Sequence, residues 1–156
     1  MATIKRFEDL ECWQEGRKFV GLIYELTKND QFRRDFELVK QVRGSAISSM
    51  ANIAEGFHRN STKDFMRFLD YSRASIAGTV SHCYVALDQH YVDKSELEKV
   101  RKQADTTSKK VNNFITYLNM TLHPRKSTNR TNKTSQTNRT EKNSPSKTKE
   151  FTSGAL

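Results

Sequence analysis

Between Asn52 and Leu69 the chain reads NIAEGFHRNSTKDFMRFL, and no other stretch restricts its fold as tightly. A helix stop, a short basic connection and a helix start follow one another there, with apolar residues at helical spacing on both sides. Gly56 is placed to take the left-handed conformation that ends a helix, and His58 and Arg59 follow where cations suit the helix dipole. Ser61, with Asp64 three residues on, reads as a capping box that opens the next helix. Two long apolar-striped helices joined so briefly must fold back on each other.

The same periodicity extends in both directions. A first helix is expected from about Leu10 to Lys28, with Trp13, Val20, Ile23, Tyr24 and Thr27 on one face. The second runs from about Asp35 to Phe57 and carries Val39, Val42, Ala46, Met50, Ile53 and Phe57. The third carries Phe65, Leu69, Ser72, Ile76, Val80, Cys83 and Leu87 and ends near His90. Ser95 with Glu98 marks the start of a fourth, whose stripe is Leu97, Val100, Ala104, Val111, Phe114, Leu118 and Leu122. Long helices with short connections predict an all-α fold, an up-and-down antiparallel four-helix bundle over residues 1–122. A chain of 156 residues with only 2 Pro and 6 Gly suits that expectation and can bury a core.

Residues 123–156 differ in kind. They begin at His123-Pro124, where a helix stops, and Thr recurs at every third position from Thr128 through Thr131, Thr134 and Thr137 to Thr140. They hold eight Lys and Arg against two Glu, and so carry six of the nine net positive charges of the chain. With almost no apolar residues to offset ordering entropy, this segment is expected to be a disordered, low-complexity basic tail.

Several function classes are disfavoured. No apolar run approaches the roughly 18 residues of a membrane span, and the start lacks the apolar core of a signal peptide, so a cytoplasmic protein without membrane contact is expected. Cys12 and Cys83 suit a reducing compartment, and Cys83 falls on an apolar stripe. His58, His82, His90 and His123 share no ligand spacing, and no glycine loop for phosphates is present; the expectation is no metal, no cofactor and no enzymatic activity. A catalytic Glu55 would need a partner that the sequence does not show. Asn52 and Glu55 read instead as capping or interface groups.

The surfaces say more. At about 100° per residue, Gly44, Ser45, Ser48 and Ala51 face away from the apolar stripe of the second helix. Ala74, Ala77, Gly78, Ser81 and Val85 do so on the third. Small residues in place of Lys, Glu and Gln suggest a second packing surface, a subunit interface formed by Gly44, Ser48, Ala51, Asn52, Glu55, Ala74, Gly78 and Ser81; a merely neutral surface is the alternative. Basic residues cluster twice: His58, Arg59, Lys63 and Arg67 at the connection, opposed only by Asp64, and Arg33, Arg34, Lys40 and Arg43 near the start of the second helix. Arg125, Lys126, Arg130, Lys133 and Arg139 add tail charge. These sets are the candidates for sequence-nonspecific nucleic-acid contact, summed over an oligomer. Lys102 and Lys109 are expected to be compensated by Glu98 and Asp105 four residues earlier. A protein-interaction scaffold that never touches nucleic acid remains the competing class.

Phe7-Glu8-Asp9-Leu10, Trp13-Gln14, Ile23-Tyr24-Glu25-Leu26-Thr27, Gln41-Val42-Arg43, Ala46-Ile47-Ser48 and, above all, Asn52-Ile53-Ala54-Glu55-Gly56-Phe57 with Arg59, Ser61, Phe65, Phe68 and Leu69 resemble a known family. It is the family of small bacterial four-helix bundle proteins associated with intervening sequences in 23S ribosomal RNA genes. The likeness covers roughly residues 7–122. It implies a homopentamer with no assigned enzymatic activity. It also implies kinship with the accessory proteins of diversity-generating retroelements, which contact nucleic acid, RNA included, and a reverse transcriptase.

Overall fold

Apolar residues at three- and four-residue steps produce four helices in the computed structural model: α1 Glu11–Leu26, α2 Phe36–Phe57, α3 Thr62–Asp88 and α4 Lys94–Leu122. Short 3-10 turns at Phe7–Asp9 and Phe32–Arg34 precede α1 and α2, and there is no strand among the described residues, 4–123. The segment from Pro124 onward, and with it Arg125, Lys126, Arg130, Lys133 and Arg139, lies outside the described residues. Each helix packs on the next and α4 closes on α1, the arrangement of an all-α up-and-down bundle.

The core has two parts. Phe19, Ile23, Val42, Ala46, Ile76, Cys83, Val100 and Ala104 fill the half nearer the α3–α4 turn. Leu10, Cys12, Ile53, Phe65, Leu69 and Val111 fill the half beneath the α2–α3 turn. Side chains such as Phe19 and Ile23 are fully buried and each contributes about 1.5–3 kcal/mol of transfer free energy.

Three expectations need correcting. The buried stripe of α1 is Cys12, Gly16, Phe19 and Ile23, while Trp13 and Val20 are half-buried and Tyr24 is exposed. The Phe19 ring sets that rotation, and Tyr24 is left on the rim, where the Arg43 guanidinium lies 4.6 Å from its ring. Gly56 is inside α2 and no glycine among the described residues has a positive φ. The helix ends two residues later, at the His58 cap. Gly56 is there for close approach: a Cβ on it would lie 2.7 Å from the Phe65 ring and 2.8 Å from Phe68 Cβ. The left-handed conformation appears instead at His90, just past α3, with φ 60°. Finally, α4 starts at Asp93, not Ser95. Asp93 accepts from the Glu96 N–H at 2.8 Å and its own N–H donates to Glu96 Oε2 at 2.9 Å, a reciprocal box two residues upstream of the expected one.

The α2–α3 pair is the most extensive contact of the bundle. Small hydroxyl side chains line it. Ser72 Oγ donates to the Ser49 carbonyl at 2.7 Å, Ser48 and Ser75 hydroxyls meet at 3.0 Å, and Thr79 Oγ1 is 2.9 Å from Ser45 Oγ. Among the described residues no buried side-chain polar atom lacks a partner. Ser45 and Ser48, expected on an outer face, therefore serve the seam within the protomer.

Candidate functional site

The α2–α3 turn is built by caps. The His58 N–H donates to the Glu55 carbonyl and the Arg59 N–H to the Gly56 carbonyl at 3.0 Å, closing α2. Ser61 Oγ then accepts from the Asp64 N–H at 3.0 Å and donates to Asp64 Oδ2 at 2.9 Å, so one side of the expected capping box is backbone and the other side chain. The four expected cations are held around this turn in different ways. Arg67 pairs with Asp64 at 2.9 Å; both side chains are largely exposed, so the pair contributes about 0–1 kcal/mol and yields readily to a competing anion. The Arg59 guanidinium lies over the Phe68 ring, 4.4 Å from its centroid. Lys63 is exposed and has no carboxylate within ion-pair distance among the described residues. His58 sits edge-on between Phe57, at 5.5 Å, and Phe7, at 6.0 Å, and Phe7 in turn meets Trp13 at 5.2 Å.

The second basic cluster is less available than its composition suggested. Arg43 is half-buried; its Nε donates to Thr27 Oγ1 at 2.7 Å while its guanidinium covers Tyr24. It ties α1 to α2 and is a structural residue, which corrects its assignment to nucleic-acid contact. Arg33 pairs with Asp30 at 2.8 Å, leaving Arg34 and Lys40 exposed. The two clusters are at opposite ends of α2, whose 22 residues span about 33 Å. A single small ligand cannot touch both.

On α4 the compensation argument fails. Neither Glu98–Lys102 nor Asp105–Lys109 reaches ion-pair distance, and Lys110 reaches across to Glu11 at 2.6 Å instead. Exposed i,i+4 pairs gain only a few tenths of a kcal/mol, which side-chain entropy cancels. Lys99, Lys102 and Lys109 are therefore additional surface cations that pattern reading set aside.

Of the expected interface residues, Gly44, Glu55, Ala74 and Ser81 are exposed and Ala51 and Gly78 half-buried. Nothing lies within 4 Å of a Cβ placed on Gly44 or Gly78. Exposed Ile47 and Val85 extend the same strip. Ser48 and Asn52 belong to the protomer: Asn52 Nδ2 donates to the Ser48 carbonyl at 2.7 Å.

The remaining reactive groups are quiet. Burial pushes the Cys12 thiol up to about 11 and the Cys83 thiol up to about 12, so neither is a nucleophile near neutrality. Cys12 lines a cavity of about 410 Å³ with Leu10, Phe114 and Tyr117. No group of His, Cys, Asp and Glu among the described residues is arranged to hold a metal. No helix among them is long and apolar enough to cross a membrane.

Residues 8–113 match the model of a protein family described as 23S rRNA-intervening sequence protein. A crystal structure of a protein of unknown function from the S23 ribosomal protein family of Bacteroides thetaiotaomicron has the same fold. It is 21% identical, with a TM-score of 0.60 over 67% of this chain and 97% of that one. No curated protein matches the chain.

Proposed function

We propose that this chain, which belongs to the 23S rRNA-intervening sequence protein family, is a non-enzymatic, homo-oligomeric helical bundle that binds nucleic acid as an accessory protein. The observation that carries the reading is the α2–α3 turn, where, among the described residues, the one carboxylate within ion-pair distance of Arg59, Lys63 or Arg67 is Asp64, already shared between a cap and an exposed ion pair. Phosphate contacts of this kind fix position without reading sequence, and each is weak. Affinity then depends on repetition. A second copy packed on the Gly44, Ala51, Ala74, Gly78 and Ser81 strip would present several such turns together, along with the basic segments that follow residue 123. Pentameric assembly, RNA as the nucleic acid, a retroelement reverse transcriptase as partner and a cytoplasmic setting belong to the same reading; they rest on the family resemblance.

The test is a gel-shift titration with RNA and DNA at two salt concentrations, on the full chain and on residues 1–122, with light scattering for the assembly. Binding that falls steeply with salt, and a salt slope lowered by about one per engaged copy in Lys63→Ala, is expected. No binding of either nucleic acid by the full chain at low salt would overturn the proposal and favour a protein-interaction scaffold. A monomer in light scattering would remove its oligomeric part.

A further inference from the structure

The α2–α3 turn carries aromatic groups as well as charge, and the two are interleaved. Phe68 is buried against Gly56, so its ring has a fixed position. The Arg59 guanidinium lies over that ring, 4.4 Å from its centroid, and Arg59 is itself exposed. Tyr71 also meets Phe68, edge-on with centroids 5.7 Å apart, and is 49% exposed. Arg67 lies four residues before Tyr71, on the same face of α3, and Lys63 one further turn toward the connection. The carboxylates nearby are Asp64, paired with Arg67, Asp70, paired with Arg73, and Glu55.

A purely electrostatic site needs no such arrangement. Lysines on flexible stems serve phosphates adequately, whereas a planar guanidinium and a half-exposed phenol held by a rigid ring offer flat surfaces. Bases in a duplex are stacked on each other and are unavailable to such surfaces. Unpaired bases splay out and stack on aromatic rings and on arginine planes, with lysine and arginine holding the phosphates between them. Nor does the turn project a helix or ribbon of a shape that enters a groove.

We infer that the α2–α3 turn is a stacking platform for unpaired bases, formed by the Arg59 guanidinium and the Tyr71 ring, both of which meet Phe68, so that the chain takes single-stranded in preference to duplex nucleic acid. The inference rests on the nucleic-acid reading above and names its substrate class. Tyr71 stands at the turn end of the small-residue strip, so a second copy on that strip leaves it at the rim.

Fluorescence anisotropy on the full chain tests it with three probes: a labelled oligouridine, an abasic strand of equal length, and a duplex. The intact strand is expected to bind at least about five-fold more tightly than the abasic one, the lower end of what one stacked base contributes. Tyr71→Ala should erase that difference and Tyr71→Phe should keep it. Arg59→Lys, which holds the charge and loses the plane, should reduce it. Helicity by circular dichroism checks that the variants fold, as expected for half-exposed side chains. Equal affinity for intact and abasic strands, or a preference that survives Tyr71→Ala, overturns the platform and leaves a charge-only site. No binding of any probe overturns the nucleic-acid reading as well.

Discussion

Alanine at position 56 separates two explanations of why a glycine stands there. A methyl group on Gly56 would lie 2.7 Å from Phe65 Cδ2, 3.1 Å from Phe65 Cε2 and 2.8 Å from Phe68 Cβ. The Phe65 ring can tilt away. Phe68 Cβ cannot, because it is attached directly to the α3 backbone, so α2 and α3 must part by several tenths of an ångström. Overpacking of this kind costs about 1–3 kcal/mol, while alanine in a helix interior returns about 0.5–1 kcal/mol relative to glycine. The expected net loss is about 1–2 kcal/mol. Gly21, on the exposed face of α1 with nothing within 4 Å of its Cβ position, supplies the control; there alanine should gain about 0.5–1 kcal/mol. Gly56→Asn distinguishes the explanations further. A left-handed helix end tolerates asparagine, whereas a contact-limited site suffers more from asparagine than from alanine. Urea unfolding of the full chain at one fixed protein concentration measures all three. Gly56→Ala as stable as the parent, or Gly56→Asn more stable than Gly56→Ala, would refute the close-approach argument.

Two further expectations follow from the helix boundaries and the thiols. Asp93→Ala removes the side-chain acceptor of the α4 cap, while the backbone N–H of residue 93 can still donate to Glu96, and should cost about 1 kcal/mol, whereas Ser95→Ala, inside the helix, should stay within about 0.5 kcal/mol of the parent in the same urea assay; the reverse order would restore the Ser95 start. Cys12 and Cys83 ionise near 11 and 12 in the folded chain, above the ordinary thiol value, so the unfolded chain loses these protons first and stability should fall as pH rises above about 9. Native protein should accordingly react with a thiol reagent only as fast as it opens, and rapid labelling of both thiols near neutral pH would contradict their burial.

The helix pattern was readable in the residues because apolar periodicity is a local property: Val42, Ala46 and Ile53 on α2 and Leu69, Ile76 and Cys83 on α3 are buried as their spacing requires. Three of the failures are cases in which a neighbour from another helix decides. Gly56 looks like a helix end until Phe68 is seen beside it. Arg43 looks like a surface cation until Thr27 and Tyr24 take it. Ser45 and Ser48 look like outer-face residues because a helical wheel gives an angle and no partner; Thr79 and Ser75 supply the partner. The Asp93 cap was missed for a local reason. Asp93-x-x-Glu96 and Ser95-x-x-Glu98 overlap, and the earlier box lengthens α4 by two residues while satisfying both of its own hydrogen bonds. For the candidate site the charge was visible in the sequence and the aromatic support was not, since Arg59 and Phe68 are nine positions apart across a turn.

That support links packing to the proposed activity. At Gly56 a glycine of α2 faces two phenylalanines of α3 with no room for a Cβ, and one of those rings carries the Arg59 guanidinium. A cation on a flexible loop would need no such base. One held over a ring whose own Cβ packs against the opposing helix at Gly56 has its orientation set by that packing. The architecture at Asn52–Leu69 and the proposed contact with nucleic acid thus share Gly56, Arg59 and Phe68. Substitutions that part the two helices should disturb the planar contact before they unfold the chain, whereas phosphate contacts through Lys63, which leans on nothing, should be indifferent to them.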